Sequence, residues 1–163
     1  MGRLTTQKAF EVSINAMKLL KDSGVRARWY VLGEGDQRRK LEEQIGALGL
    51  SEDFILCGAV SNPYPYMKQA DIYVHASRFE GKSIAIQEAQ VLGKAIVASD
   101  CSGNREQVIN GVDGLLCELS PEAVCAAVRE LLDDGDKRRL FGEAVAKKND
   151  GGAAETEKLL CML

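Results

Sequence analysis

No stretch of the 163 residues approaches the ~18–20 consecutive apolar positions that a membrane-spanning helix needs. The start carries no charged-then-apolar leader, so no secretion is signalled and a cytoplasmic location is expected. Charge of one sign is also missing: 21 Lys and Arg face 24 Asp and Glu, a net of −3. A weakly acidic surface is poorly suited to a polyanionic backbone, so nucleic acid is not an expected partner. Histidine is scarce, with His75 alone. The cysteines at 57, 101, 117, 125 and 161 are odd in number, and no two lie two to four residues apart. That pattern argues against a zinc knuckle or a disulfide framework and for reduced, mostly buried thiols. No internal repeat or low-complexity tract is visible.

What is present suits a single globular domain. The chain is 45% hydrophobic and 28% charged, and its length matches the usual ~100–200 residues per domain. Short apolar runs alternate with longer stretches of helical period. The spacing predicts helices over 6–21, 37–48 (with Asp36 able to cap it), 62–69, 83–92, 122–132 and 137–147, and one or two helical turns over 104–109. It predicts strands over 28–32, 54–57, 72–75, 95–98 and 114–117. Asn149-Asp150-Gly151-Gly152 breaks the pattern, leaving 1–150 as the domain and 151–163 as a tail or docking helix. Four- and five-residue apolar strands separated by helices indicate an α/β fold, a Rossmann-like parallel sheet covered on both faces. Ligands of such folds bind at the carboxyl ends of the strands.

Two post-strand segments are therefore candidates. Gly33-Glu34-Gly35 follows a strand and precedes a helix, but Arg38 stands where a dinucleotide fingerprint has its third glycine. It reads as a tight turn that remains compatible with a nearby phosphate. The second runs from Ser77 to Ala89. Glu80 sits in a loop beside Gly81, which lets backbone approach a ligand closely. Glu88 lies on a helix whose neighbours at i±3 and i±4 are Ile84, Ala85, Val91 and Leu92, a face expected to be buried. A carboxylate there is either paired within the core or held to accept ligand hydroxyls. His75, ending a strand, is either a hydrogen-bonded core residue or a catalyst, and the first reading is preferred. Trp29 and Tyr30 are expected to pack, and Tyr64 and Tyr66 either pack in their loop or meet an acceptor. Cys101 lacks a partner base, so a nucleophile is not expected.

The Ser77, Glu80-Gly81, Glu88-Ala89, Gly93, Ala95–Ser99 series resembles the E-x7-E region of retaining glycosyltransferases of family 4, which have the two-domain GT-B architecture. Gly2-Arg3-Leu4 with Gln7-Lys8 resembles the opening of the C-terminal domain of that family. Val31–Gly35, Phe54–Gly58, Glu106, Gly111 and Gly114–Leu116 resemble its later segments. The ordered set spans residues 2 to about 132. It explains Gly2 and Arg3 better than the myristoylation pattern that Gly2 and Thr6 also fit.

The resemblance implies roles. Arg3 and Lys8 would neutralise the diphosphate of a nucleotide-sugar donor, so that no metal or other cofactor is expected. The Gly81-Lys82-Ser83-Ile84 amides would add a helix N-terminus at the same phosphates. Glu88 would accept the ribose hydroxyls, and Glu80 would contact the sugar near the reacting carbon. Gly33 would lie at the donor, and Gly58, Val60 and Ser61 would edge the base. Lys82-Ser83 departs from the aromatic and glycine of many members, and it resembles the subgroup that builds bacterial surface polysaccharides. Lys82 is then either an added cation or a solvated lysine. The expected function is the donor-binding domain of a glycosyltransferase that acts on a glycan, lipid or polysaccharide acceptor. The resemblance also implies an N-terminal acceptor domain as partner and a parent able to sit peripherally at a membrane. The alternative is a non-catalytic nucleotide-binding module. A phosphorylase would need a pyridoxal-phosphate lysine, for which no position stands out.

Overall fold

In a computed structural model, residues 1–149 are described. The tail expected over 151–163 lies outside them. The elements are α1 (Phe10–Asp22), β1 (Trp29–Leu32), α2 (Arg38–Ala47), β2 (Phe54–Gly58), α3 (Tyr64–Gln69), β3 (Ile72–His75), α4 (Ile84–Val91), β4 (Ala95–Ser99), α5 (Ser102–Arg105), β5 (Leu115–Cys117), α6 (Pro121–Asp133) and α7 (Gly135–Asn149). Each forms for a local reason. In α6, Ser120 caps by accepting the Ala123 N–H, Pro121 opens the first turn, and Val124, Ala127, Val128 and Leu131 bury one stripe. β4 is buried along its whole length, as a strand covered on both faces must be.

The strand directions make β4 the centre of the molecule. Ala95 and Val97 face a core built largely by α1, α2, α6 and Phe141 of α7. Ile96 and Ala98 face a second core with Tyr64, Met67, Ile86 and Ala89 from α3 and α4. Helices thus cover both faces, as the sequence pattern predicts. Every strand pairing is parallel. Trp29 packs as expected, its ring stacked on that of Phe54 with centroids 5.7 Å apart, whereas Tyr30, also expected to pack, is 48% exposed.

Four details differ from the sequence expectation. The single sheet is interrupted: β1 pairs with β2, while β3, β4 and β5 form a second ladder. A cavity of about 640 Å³ lies between the edges of β1 and β3. The helix predicted over 6–21 breaks at Ala9, whose φ of 44° is left-handed, into a 3₁₀ turn Thr6–Lys8 and α1. Asp36 does not cap α2; Gln37 precedes the helix, and no side chain caps it. The turns after β4 begin earlier than predicted, at Ser102. No helix among the described residues is long and apolar enough to cross a membrane.

Candidate functional site

The carboxyl ends of β3 and β4 are tied together by Ser99. Its Oγ accepts from the Ser77 N–H at 2.9 Å and donates to the Ser77 carbonyl at 2.6 Å. That link fixes the start of the loop carrying Glu80. Gly103 of α5 fixes its middle, because a Cβ there would lie 2.3 Å from the Glu80 carbonyl oxygen and 2.1 Å from that of Gly81. Gln107 fixes its end, accepting the Ser83 N–H at 2.6 Å and donating to the Ser83 carbonyl at 2.9 Å. Neither Gly103 nor Gln107 was singled out by the sequence reading. Their signal is packing, which spacing does not carry.

The break at Ala9 aims Lys8 at this loop. Gln7 donates to the Phe79 carbonyl at 3.0 Å, and its own carbonyl accepts the Arg78 N–H at 2.9 Å. Arg78 also pairs with Glu11. Lys8 Nζ then meets Glu80 Oε1 at 2.5 Å. Had the helix run unbroken through Ala9, residues 6–8 would continue the axis of α1 rather than turn to the Glu80 loop.

His75 Nε2 reaches the same oxygen, Glu80 Oε1, at 3.1 Å, and the Tyr73 hydroxyl lies 3.2 Å from His75 Nδ1. Burial pushes the Glu80 carboxyl up. Hydrogen bonds from His75, Lys8 and Ser77, with the Lys8 charge, outweigh burial and hold it at about 2. An ionised Glu80 only accepts, so His75 Nε2 carries the hydrogen. Burial lowers the pKa of His75 first, against the pull of Glu80, and keeps the ring neutral. Its Nδ1 is therefore the acceptor for Tyr73, whose hydroxyl burial keeps protonated. The preferred core reading of His75 describes its burial, at 3% exposed, but misses its contact with Glu80.

Glu88 differs from its expected surroundings. Ile84, one turn before it, is 70% exposed, so this helix face is half open rather than buried. The face lines a cavity of about 350 Å³, where Tyr64 donates its hydroxyl to Glu88 Oε1 at 2.9 Å. Of the residues predicted for the site, Lys8, Glu80, Lys82, Ser83, Ile84 and Glu88 line this one cavity, together with Met1, Gly2 and Ala85. Gly81 is exposed within the same loop. The N-cap residue of α4, Ser83, makes no side-chain cap hydrogen bond, and the helix start lies at the cavity.

Arg3, Gly33, Gly58, Val60 and Ser61 do not line the cavity. Arg3 is exposed beside Gly2. Gly33, at φ 144°, lies against the Gly2 backbone: a Cβ would stand 1.9 Å from the Gly2 oxygen. It seats the segment that carries Gly2 and Arg3. Gly58, at φ 79°, ends β2 beside Glu34, and the exposed Ser61 follows in the next loop. Cys57, Cys101, Cys117 and Cys125 are free thiols. The Asp134-Gly135-Asp136 sequence falls at the α6–α7 junction, away from the cavity.

Residues 1–148 match the model of glycosyl transferases group 1. The chain belongs to this family. Alpha-D-kanosaminyltransferase of Streptomyces kanamyceticus is 31% identical over 150 residues, covering 90% of this chain and 39% of that protein. The C-terminal domain of a group 1 glycosyl transferase, LpcC, from Francisella tularensis superposes with a TM-score of 0.79 at 25% identity, over 93% of this chain and 82% of that one. HepE of Anabaena in complex with UDP superposes with a TM-score of 0.83 at 20% identity, over 99% of this chain and 44% of its own, a likeness of fold. The chain spans less than half the length of the curated relatives it matches. Several of these relatives are named as glycosyltransferases.

Proposed function

We propose that this family 4, GT-B-type domain binds the nucleotide diphosphate sugar donor for a retaining glycosyltransferase. One observation carries the reading. Six residues chosen from sequence, five of them between 80 and 88 and the sixth Lys8 from the other end of the chain, line a single cavity at the carboxyl end of β3. The complex of HepE with UDP supports a nucleoside diphosphate as the ligand class.

The roles follow from the charges. Lys8, Lys82 and the uncapped start of α4 supply positive potential for the diphosphate, with Arg3 able to reach in from the adjoining segment. That charge lets the leaving nucleotide depart without a metal. Glu88, held by Tyr64, accepts ribose hydroxyls. Glu80, ionised and fixed by Lys8 and His75, stands where the donor sugar would develop positive charge as its bond to phosphate breaks. Gly58, Val60 and Ser61 edge the base. An acceptor domain, absent from these residues, completes the enzyme, which works in the cytoplasm or at a membrane surface on a glycan or lipid acceptor.

A thermal-shift panel of UDP, GDP, ADP and their sugar conjugates tests the donor assignment. Bound ligand at 100 times Kd adds ~2.7 kcal/mol to stability. One base should raise Tm in both free and sugar-bearing forms, and nucleosides without phosphate should raise it far less. No shift with any nucleoside diphosphate would contradict the assignment.

A further inference from the structure

The two carboxylates of the cavity are held by different chemistry. Lys8 and His75 both meet Glu80 Oε1, and Lys8 brings a full positive charge. Glu88 meets a neutral phenol instead: the Tyr64 hydroxyl donates to its Oε1 at 2.9 Å. Tyr64 is not among the residues that line the cavity, so its hydroxyl acts on Glu88 rather than on a ligand.

The phenol is firmly placed. Tyr64 is 9% exposed, and it packs with Met67, Tyr73, Ile86 and Ala89 in the second core. Its N–H donates to Asn62 Oδ1 at 3.1 Å, and Pro63 sets the first turn of α3. Burial first, then Glu88, raise its pKa, so the hydroxyl keeps its proton and donates. Glu88 is only half-buried, and a Glu side chain on an open helix face keeps much of its rotamer freedom unless something fixes it. The link also spans the site. Tyr64 begins α3 directly after the loop that carries Val60 and Ser61, and its hydrogen bond ties the end of that loop to α4, 24 positions further on.

Given the donor assignment above, on which this rests, we propose that Tyr64 is a positioning residue for ribose: its hydroxyl holds Glu88 in the orientation that accepts the two ribose hydroxyls, and so sets a preference for ribonucleoside over 2′-deoxyribonucleoside diphosphates. A carboxylate offers about four lone-pair sites, and Tyr64 occupies one of them, on Oε1. The remaining sites on Oε1 and Oε2 suffice for a vicinal pair of hydroxyls. A carboxylate fixed at one angle loses a bond outright when the 2′-hydroxyl is missing. One free to rotate turns to water and discriminates little.

Calorimetric titrations with UDP, GDP, ADP and their 2′-deoxy counterparts test the assignment on this chain, Tyr64→Phe, Glu88→Ala and the double variant. For the base bound most tightly, the parent chain should prefer the ribose form by about tenfold or more. Tyr64→Phe keeps the ring and removes the hydroxyl. It should cut that preference to about threefold or less, weakening the ribose form while leaving the 2′-deoxy form nearly unchanged. In the Glu88→Ala background, Tyr64→Phe should change neither affinity, because Tyr64 acts through Glu88. An unchanged preference in Tyr64→Phe would overturn the positioning role. So would equal weakening of both forms with a lowered Tm, which marks Tyr64 as a core residue only, or a further loss in the double variant. Failure of the parent chain to bind any of the six nucleotides would instead contradict the donor assignment, and this role with it.

Discussion

Glu80 and Glu88 are two carboxylates of one cavity with different neighbours, and their substitutions should separate. Glu88→Ala removes the acceptor proposed for ribose and should cost roughly 1–3 kcal/mol of nucleotide affinity. It should leave Tm within a degree or two, because Ala suits a helix and Glu88 is only half buried. If Glu88 served the core alone, calorimetry would show unchanged affinity and the melting curve would move instead. Glu80→Gln should leave the affinity for sugar-free nucleotide nearly unchanged, since Glu80 is assigned to the sugar. His75 gives a pH signature. Its folded pKa lies below its ordinary 6.5, so the unfolded chain binds a proton that the folded chain refuses, and stability falls as pH drops through 6.5. Glu80, at about 2 against an ordinary 4.5, adds stability that is present above 4.5 and is lost as pH falls toward 2. In a Tm-against-pH series, His75→Gln should flatten the slope just below pH 6.5 relative to the parent chain. Identical slopes would remove His75 from the titration.

At the scale of elements, packing rather than propensity decides what holds the site. Gly103→Ala would drive a Cβ into the Glu80 and Gly81 carbonyls, so the loop must move. Both Tm and nucleotide affinity should fall. Gly46 in α2 is the opposite case: nothing lies near its Cβ position, and Gly46→Ala should stabilise by about 0.5–1 kcal/mol with affinity unchanged. Urea melts of the two variants, run beside nucleotide titrations, check both directions. The same contrast explains what the sequence made legible. Strands with continuous apolar runs, such as β4, and helices with a clean stripe, such as α6, were readable because period and burial coincide. The break at Ala9 was not, since alanine gives no local sign of a left-handed conformation and the apolar spacing runs through it. Glu88 is readable as unusual, but its face differs from the expected one because the apolar neighbour Ile84 lines an opening rather than a core and Val91 is only half-buried.

For the whole molecule, the sequence pattern conveyed an α/β fold with parallel strands and helices on both faces, because alternating element types leave few other solutions. It did not convey the gap between β1 and β3, since each strand's pattern is the same whether or not its edge is paired. Of the expected site, the side chains of Lys8, Glu80, Lys82, Ser83, Ile84 and Glu88 converge on one cavity, while Arg3, Gly33, Gly58, Val60 and Ser61 lie outside it. If the donor-binding proposal holds, this chain should bind donor without transferring sugar, because in that proposal a separate acceptor domain positions the acceptor. Transfer to an added acceptor at an enzymatic rate would refute that division of labour. The most direct measurement is a ¹H–¹⁵N correlation titration of this chain with UDP, repeated with GDP and ADP. One nucleotide should produce saturable shifts at Gly2, Lys8, the 80–85 loop and Glu88, with the residues of the β1–β3 cavity unmoved. Saturable shifts centred elsewhere, or none with any of the three, would contradict a donor site in this cavity.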